Sequence, residues 1–451
     1  MEKNLTTGSV FRNLLYFSLP FLLSYFLQTL YGMADLFIIG QFAEVSQTTA
    51  VSIGSQVMHM ITVMIVGLAM GSTVTIGQAI GANQKEKASR SIGNTIVLFL
   101  IVAAAATVLL LFLVRPIVSV MSTPDEAVSG TVSYLTICFI GIPCITAYNI
   151  ISSIFRGLGD SKSPMYFIMV ACAANIALDY LFIGYFGLGA AGAALGTVLA
   201  QTLSVIVALV VIFHRQTGIT VRKQDFKPQR ETIGQIARIG LPVALQDGCI
   251  QIGFLIITII ANRRGLTDAA AVGIVEKIIS FLFLVPSSML SSVSALAAQN
   301  IGAGKDDRAE QTLRYAVLFA VSFGVIVAVA MQFIAKPVVG LFTDDADVIL
   351  MGSQYIRSYV FDVIFGGVHF AMSGYFCAYG KSGISFLHNI LSLLCVRIPG
   401  SWLASKFFPD TLFPMGLAPP CGSVLSVIIC VIAFILLKKK GVIGAKRMER
   451  V

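Results

Sequence analysis

The stretch Met165–Phe186, MYFIMVACAANIALDYLFIGYF, decides the class of fold. It is apolar for about the ~20 residues that a helix needs to cross a hydrocarbon core. Within it stand an amide and a carboxylate, Asn175 and Asp179, four residues apart and so one above the other on one helical face. An ionisable group in hydrocarbon costs roughly 3 kcal/mol on insertion scales, so such a residue faces a cavity or a partner and marks a candidate functional site.

The rest of the chain is of the same kind. Its 451 residues are 57% hydrophobic and 12% charged, with a mean hydropathy of +0.87. No soluble domain buries that much apolar side chain, so the composition predicts an all-α polytopic membrane protein. The net charge of +9 invites a nucleic-acid reading, but the cations sit in short loops between apolar runs. No basic face or nucleic-acid motif is present, and no nucleic-acid partner is expected. The 8 cysteines fall in apolar runs without metal-ligand spacing and read as small buried side chains. No metal or other cofactor is expected. Lys3 and Arg12 precede an apolar run reaching Gly40 without a small-residue cleavage site, which reads as a retained first span.

Twelve spans of about the length required can be drawn: 14–40, 50–78, 92–114, 131–153, 164–186, 190–214, 237–262, 270–298, 314–335, 350–377, 384–404 and 415–437. The tenth carries Arg357 and Asp362 and is the weakest. With the N-terminus inside, the outer segments hold only Arg115, Arg263, Arg264, Lys336, Arg357 and Lys406. Apart from Lys277 and Arg397, which lie within spans, every other lysine and arginine falls on the opposite side. That asymmetry puts both termini in the cytoplasm, in a plasma or inner membrane.

The longest polar connection, from His214 to about Gln235, divides the chain. Gln78, Gly81-Ala82, Pro116, Tyr134 and Gly159 recur as Gln299, Gly302-Ala303, Pro337, Tyr355 and Gly380, all offset by 221. Leu19-Pro20 and Leu241-Pro242 match at 222. These are equivalent loop and span-end positions and indicate an internal duplication. Six spans is an even number, so the halves repeat in parallel, with one orientation. The expected organisation is an N-terminal lobe at 1–214, a cytoplasmic linker at 215–236, and a C-terminal lobe at 237–451 ending in a basic tail.

Span one carries Gln28, Tyr31, Gly32 and Asp35 along one face, span five Asn175 and Asp179, and span six Thr197 and Gln201. Counted from the span ends at ~1.5 Å per residue, Asp35, Asp179 and Thr197 all lie within ~7–11 Å of the outer boundary. Thr197 alone reads rather as a threonine bonding its own helix; two aspartates at one depth point to a shared site. Burial disfavours an ionised carboxylate, and two side by side disfavour it further, so such a pair can trade a proton near neutral pH. When ionised it attracts an organic cation. Competition of proton and cation for one charge is the basis of an antiporter.

The second half has Asp247, Glu276, Asp362 and Arg397 at membrane depth. Arg397 requires a partner there, Asp362 or Glu276, either as a structural pair or in gating. His59, His369 and His388 read as proton relays or as packing residues. The frame offset by 221 puts Val396 opposite Asn175 and Gly400 opposite Asp179, so the acid–amide turn is not repeated. There is no Walker loop, no His-Glu-x-x-His and no nucleophile elbow, so nothing points to an enzyme.

The loop Gly77-Gln78-Ala79-Ile80-Gly81-Ala82, its counterpart Ala298-Gln299-Asn300-Ile301-Gly302-Ala303-Gly304, Phe155-Arg156-Gly157-Leu158-Gly159-Asp160 and Val396-Arg397-Ile398-Pro399, with prolines in spans one and seven, resemble the multidrug and toxic compound extrusion (MATE) family, in its DinF-like branch. The resemblance covers essentially the whole chain. It implies two six-helix bundles around a central cleft and a monomeric secondary antiporter, embedded in lipid, that exports organic cations in exchange for protons. It also implies that Asp35, Asn175, Asp179 and Thr197 form the coupling network, and that Tyr31 and Tyr134 occupy polar positions beside it. With Gln28 and Gln201 these tyrosines are the candidate substrate contacts. Pro20 matches the hinge proposed for the first span. The other main branch, NorM-like, places an acid of span ten where Gly366 stands here; Asp362 is one turn away. Sodium coupling therefore stays open, as does a lipid-linked oligosaccharide flippase of the same superfamily, which needs cations in its cleft.

Overall fold

In hydrocarbon no water is available to the backbone, so each apolar run must satisfy its amides internally, and a helix does so. The computed structural model describes residues 5–214 and 219–444, and these are almost wholly helical. Lys3, Arg215, Lys446, Arg447 and Arg450 of the charge comparison, and residues 215–218 of the linker, lie outside the described residues.

The first half contains α1 (Val10–Phe42), α2 (Val45–Gly81), α3 (Lys85–Val120), α4 (Asp125–Ile140), α5 (Ile142–Gly157), α6 (Lys162–Asp179) and α7 (Gly189–His214). A π-helical turn, Tyr180–Tyr185, continues α6. The second half contains α8 (Arg230–Asn262), α9 (Leu266–Leu282), α10 (Leu284–Gly302), α11 (Asp306–Gly340), α12 (Ala346–Tyr359), α13 (Phe361–Ala378), α14 (Ser382–Ser392), α15 (Ile398–Phe407), α16 (Phe413–Gly416) and α17 (Ala418–Lys439). Among the described residues, 11 helical segments are long and apolar enough to span a membrane; α4 and α5, bent by 50°, make the twelfth.

Four spans drawn as single rods are broken. The fourth breaks at Gly141 between α4 and α5, the eighth at Phe283 between α9 and α10, the tenth at Val360 between α12 and α13, and the twelfth at Leu417 between α16 and α17. Pro143 and Pro286 follow the first two breaks, where the missing N–H is tolerated in a first helical turn. The tenth span begins at Ala346, where the Asp345 carboxylate accepts from the N–H groups of Asp347 and Val348 at 2.9 and 3.1 Å. The linker shortens likewise, since α8 starts at Arg230.

By its internal contacts the chain forms two compact units, residues 23–240 and residues 5–22 with 241 onward. The divisions fall just after Pro20 in α1 and just before Pro242 in α8, both prolines lying inside continuous helices. In the first unit, Ile39, Val51, Leu135, Phe139, Ile142, Ala190 and Ala194 make a core between α1, α2, α4, α5 and α7. In the second, Ala271, Val275, Tyr355, Val360, Val363 and Met415 do the same between α9, α12, α13 and α16. Large apolar side chains such as Phe112, Phe213 and Phe333 point outward, as they do where lipid is the solvent. The repeat extends to backbone conformation: the left-handed residues Asn83 and Gly159 have left-handed counterparts in Gly304 and Gly380. Each ends a helix and turns the chain into the next.

The linker is not a loose tether where it is described. Ser89 Oγ donates to the Thr220 carbonyl at 2.8 Å, and the buried Asn94 amide donates to the Asp225 carbonyl at 3.1 Å while accepting from Gln229 N–H at 2.7 Å. In the second unit, the Arg264 side chain is almost wholly buried. Its guanidinium donates to Asp268 at 2.7 Å and to the carbonyls of Ser405, Phe408, Pro409 and Thr411 at 3.0, 3.1, 2.8 and 3.2 Å. Arg264→Ala leaves a buried carboxylate and these carbonyls without their donor. It is expected to cost roughly 2–3 kcal/mol, seen as a lowered unfolding midpoint in detergent. Arg264→Lys recovers little of that, because an ammonium lacks the planar fork.

Candidate functional site

α1 and α6 deliver the acids, and α7 closes over them. Asp35 sits on the buried face of α1; Asn175 and Asp179 end α6, immediately before the π turn that widens the helix. Such turns recur at functional sites because they re-aim the adjoining side chains. Asp35 faces Asp179, Asn175 and Thr197, and Thr197 Oγ1 donates to Asp35 Oδ2 at 3.4 Å. Asp35 is 4% exposed, and Asn175 and Asp179 are 0% exposed. Their remaining atoms, Asp35 Oδ1, both Asp179 oxygens and both Asn175 side-chain heteroatoms, have no hydrogen bond within the protein.

Around this pair, Tyr31 faces Asp35, Asp179, Cys138 and Gln201. Tyr134, 3% exposed, faces Cys138, Asp35 and Tyr31. Gln28, one turn along α1 from Tyr31, faces Tyr148 of α5. A helical stripe sets the face a residue occupies, and the neighbouring helices decide what each turn of that face meets.

Two positions gave no polar signal in the sequence. Cys138 stands between the tyrosines and the acids. Gly196 lets the Asp179 carboxylate lie against the α7 backbone, and a Cβ there would run into Asp179 Oδ1. Gly196→Ala is expected to push that carboxylate aside and slow exchange on the order of 10- to 100-fold without loss of folded protein, measured as vesicle transport against expression.

In the second unit the acids are dispersed. Arg397 Nη2 donates to Asp362 Oδ1 and Oδ2, each at 3.3 Å, and to Ser423 Oγ at 2.7 Å. Of the two candidate partners of Arg397, Asp362 is the one engaged. Glu276 instead accepts from Thr258 Oγ1 at 3.3 Å. Gln246 lies against Asp247 at 3.5 Å and accepts from Ser385 Oγ at 2.8 Å. His369 and His388 are buried against Ser423 and Ser373, at 3.2 and 2.9 Å, whereas His59 is exposed.

The arrangement thus contains one carboxylate pair with no basic side chain among the groups facing it, in the described residues, and one carboxylate neutralised by an arginine. Two buried carboxylates cannot both stay charged at close range without a proton or a cation.

The MatE family model matches this chain twice, over residues 20–181 and 242–403. The chain belongs to the MatE family. Each match begins on a helix-interior proline, Pro20 or Pro242, and the second repeats the first at an offset of 222, so the duplication spans both halves. MatE proteins are transporters rather than enzymes, and this one is an integral membrane protein of about twelve spans. It is similar to the "Probable multidrug resistance protein YpnP" of Bacillus subtilis, at 29% identity over 89% of this chain and 91% of that protein. It is also similar to the "Multidrug export protein MepA" of Staphylococcus aureus, at 25% over 82% of each, and to the "FAD transporter" of Shewanella oneidensis, at 25% over 94% of each. In structure it matches an outward-facing multidrug resistance MATE family transporter of the MOP superfamily with a TM-score of 0.90, at 23% identity over 96% of this chain and 98% of that one.

Proposed function

We infer that this MatE protein is a DinF-like exporter that expels organic cations in exchange for protons. The observation that carries the reading is the Asp35–Asp179 pair, buried in one unit with no cation opposite it among the described residues, while Asp362 in the other unit is neutralised by Arg397. The multidrug names borne by YpnP and MepA agree with it. In the cycle, a proton entering from outside lands on the pair and releases the bound cation to the outside. The protonated site then turns to the cytoplasm, loses its proton, and accepts a new cation. Asn175 and Thr197 orient the carboxylates, and Tyr31 and Tyr134 offer hydroxyls and ring faces to the cation, with Gln201 beside them. Pro20 interrupts the hydrogen-bond ladder of α1 and is the place where that helix yields as the charge on Asp35 changes. Both termini lie in the cytoplasm on this reading, and the protein works as a monomer.

Sodium coupling is the second reading, because Asp179, Asn175 and Thr197 bring hard oxygen atoms up to the Asp35 carboxylate. A flippase for lipid-linked pyrophosphate is disfavoured, since Arg397 is committed to Asp362 and Ser423. Transport of ethidium into everted vesicles, with proton and sodium gradients imposed separately, separates these readings. Drive by the pH gradient alone supports proton exchange; drive by sodium alone replaces it.

A further inference from the structure

The carboxylate pair lies near the outer boundary, yet the proposed cycle must return its proton to the cytoplasm. Below the pair, α1 and α5 face each other with polar stripes that the exchange reading does not use. On α5 the stripe is Tyr148, Ser152 and Arg156, at successive turns of one face. Tyr148 and Ser152 are 3% and 1% exposed, and neither hydroxyl has a hydrogen bond to the protein in good geometry. On α1, Gln28 and Tyr25 face Tyr148, and Arg156 and Ser152 complete the groups around its hydroxyl.

The spacing closes over the membrane. From Asp35 to Gln28 is seven residues, ~10 Å of helix, and from Tyr148 to Arg156 is eight, ~12 Å. Added to the ~7–11 Å above Asp35, these make up the ~30 Å of a hydrocarbon core. Arg156 lies in the last turn of α5, and Lys162 opens α6 just beyond it, at the end of the unit that also bears Lys85, Lys87 and Arg90. Buried hydroxyls facing one another in series are costly to keep unless something uses them.

We propose that Tyr31, Gln28, Tyr148 and Ser152 form the cytoplasmic limb of a proton path from the Asp35–Asp179 pair to the Arg156 end of α5. This rests on the proton-exchange reading and on its orientation. A proton leaving the carboxyl passes to the first hydroxyl or to a water held between these side chains. Each hydroxyl, or a water held beside Gln28, accepts a proton on one lone pair and gives its own to the next, so no net charge stays on the stripe. The Gln28 amide holds the chain together by donating and accepting, without titrating. Arg156, in the last turn of α5, marks the cytoplasmic end of the stripe. Tyr148 and Ser152 are therefore positioning and relay residues, separate from the groups that bind the exchanged cation.

The test uses Tyr148→Phe and Ser152→Ala in the full chain in proteoliposomes, with ethidium as the transported cation and Asp35→Asn alongside. Ethidium affinity, followed by its fluorescence anisotropy, is expected to stay at the parent value in both relay variants. The rate of pH-driven ethidium movement is expected to fall about tenfold in each, and to recover when imidazole is added as a diffusible proton carrier. A merely structural role does not respond to imidazole. Parent rates in both variants overturn the relay, as does a loss of affinity that parallels the loss of rate, or a slow rate that imidazole leaves unchanged. If Asp35→Asn still runs on the pH gradient, the exchange reading itself fails and the relay with it. If Asp35→Asn is inactive while both relay variants run normally, the relay alone falls.

Discussion

Asp35→Asn and Asp179→Asn proteins, inserted and folded like the parent, are expected to lose pH-driven export of an organic cation by on the order of 100-fold, since the amide keeps the shape of the carboxylate but carries no exchangeable charge. The two variants should not be equivalent. Thr197 Oγ1 donates to Asp35, so the amide oxygen introduced by Asp35→Asn keeps that donor and the variant should fold well. Asp179 packs against Gly196, so an amide there points a nitrogen or an oxygen at the α7 backbone, and that variant should also bind ethidium more weakly. In everted vesicles, uptake driven by an imposed pH gradient reports the coupling, and ethidium anisotropy reports the binding. Coupled transport at the parent rate in either variant removes that carboxylate from the exchange.

The second large effect lies in the other unit and concerns stability. Asp362 is 0% exposed and accepts twice from Arg397. Asp362→Ala leaves a guanidinium at membrane depth with only Ser423 to hold it, at an expected cost of roughly 3–5 kcal/mol. Replacing both partners with apolar residues of similar volume, as in Asp362→Leu with Arg397→Met, should recover most of that loss, because the uncompensated charge is gone. Unfolding midpoints of the two single variants and the double variant make a thermodynamic cycle. A double variant as unstable as Asp362→Ala would show that the pair does more than neutralise itself. If transport in the double variant stays near the parent rate, the exchange chemistry belongs to the first unit alone.

The span pattern, the duplication and the four polar positions Asp35, Asn175, Asp179 and Thr197 were legible before any coordinates, each for one reason. Hydrocarbon forbids unpaired polar groups, so a polar residue in an apolar run stands out against its background. The broken spans were half legible: Pro143 and Pro286 announce two of the breaks, while the break at Val360 has no proline and follows from how α12 and α13 pack. Gln28 illustrates the limit of periodicity. It shares a helical face with Asp35, but one helix alone cannot say that its turn meets Tyr148.

Residue order along the chain was enough for the class of protein, its repeated architecture and the confinement of the acid–amide turn to one half. All three depend on which residue types occupy successive positions along a helix in lipid. Which buried charges are paired came from the packing of the helices. Arg397 sits on Asp362 rather than Glu276, Asp35 and Asp179 share a site with no cation opposite them among the described residues, and Gly196 makes room for the Asp179 carboxylate. Those outcomes depend on distances between helices far apart in the chain. At membrane depth such a distance settles whether a charge is neutralised or left free to exchange a proton.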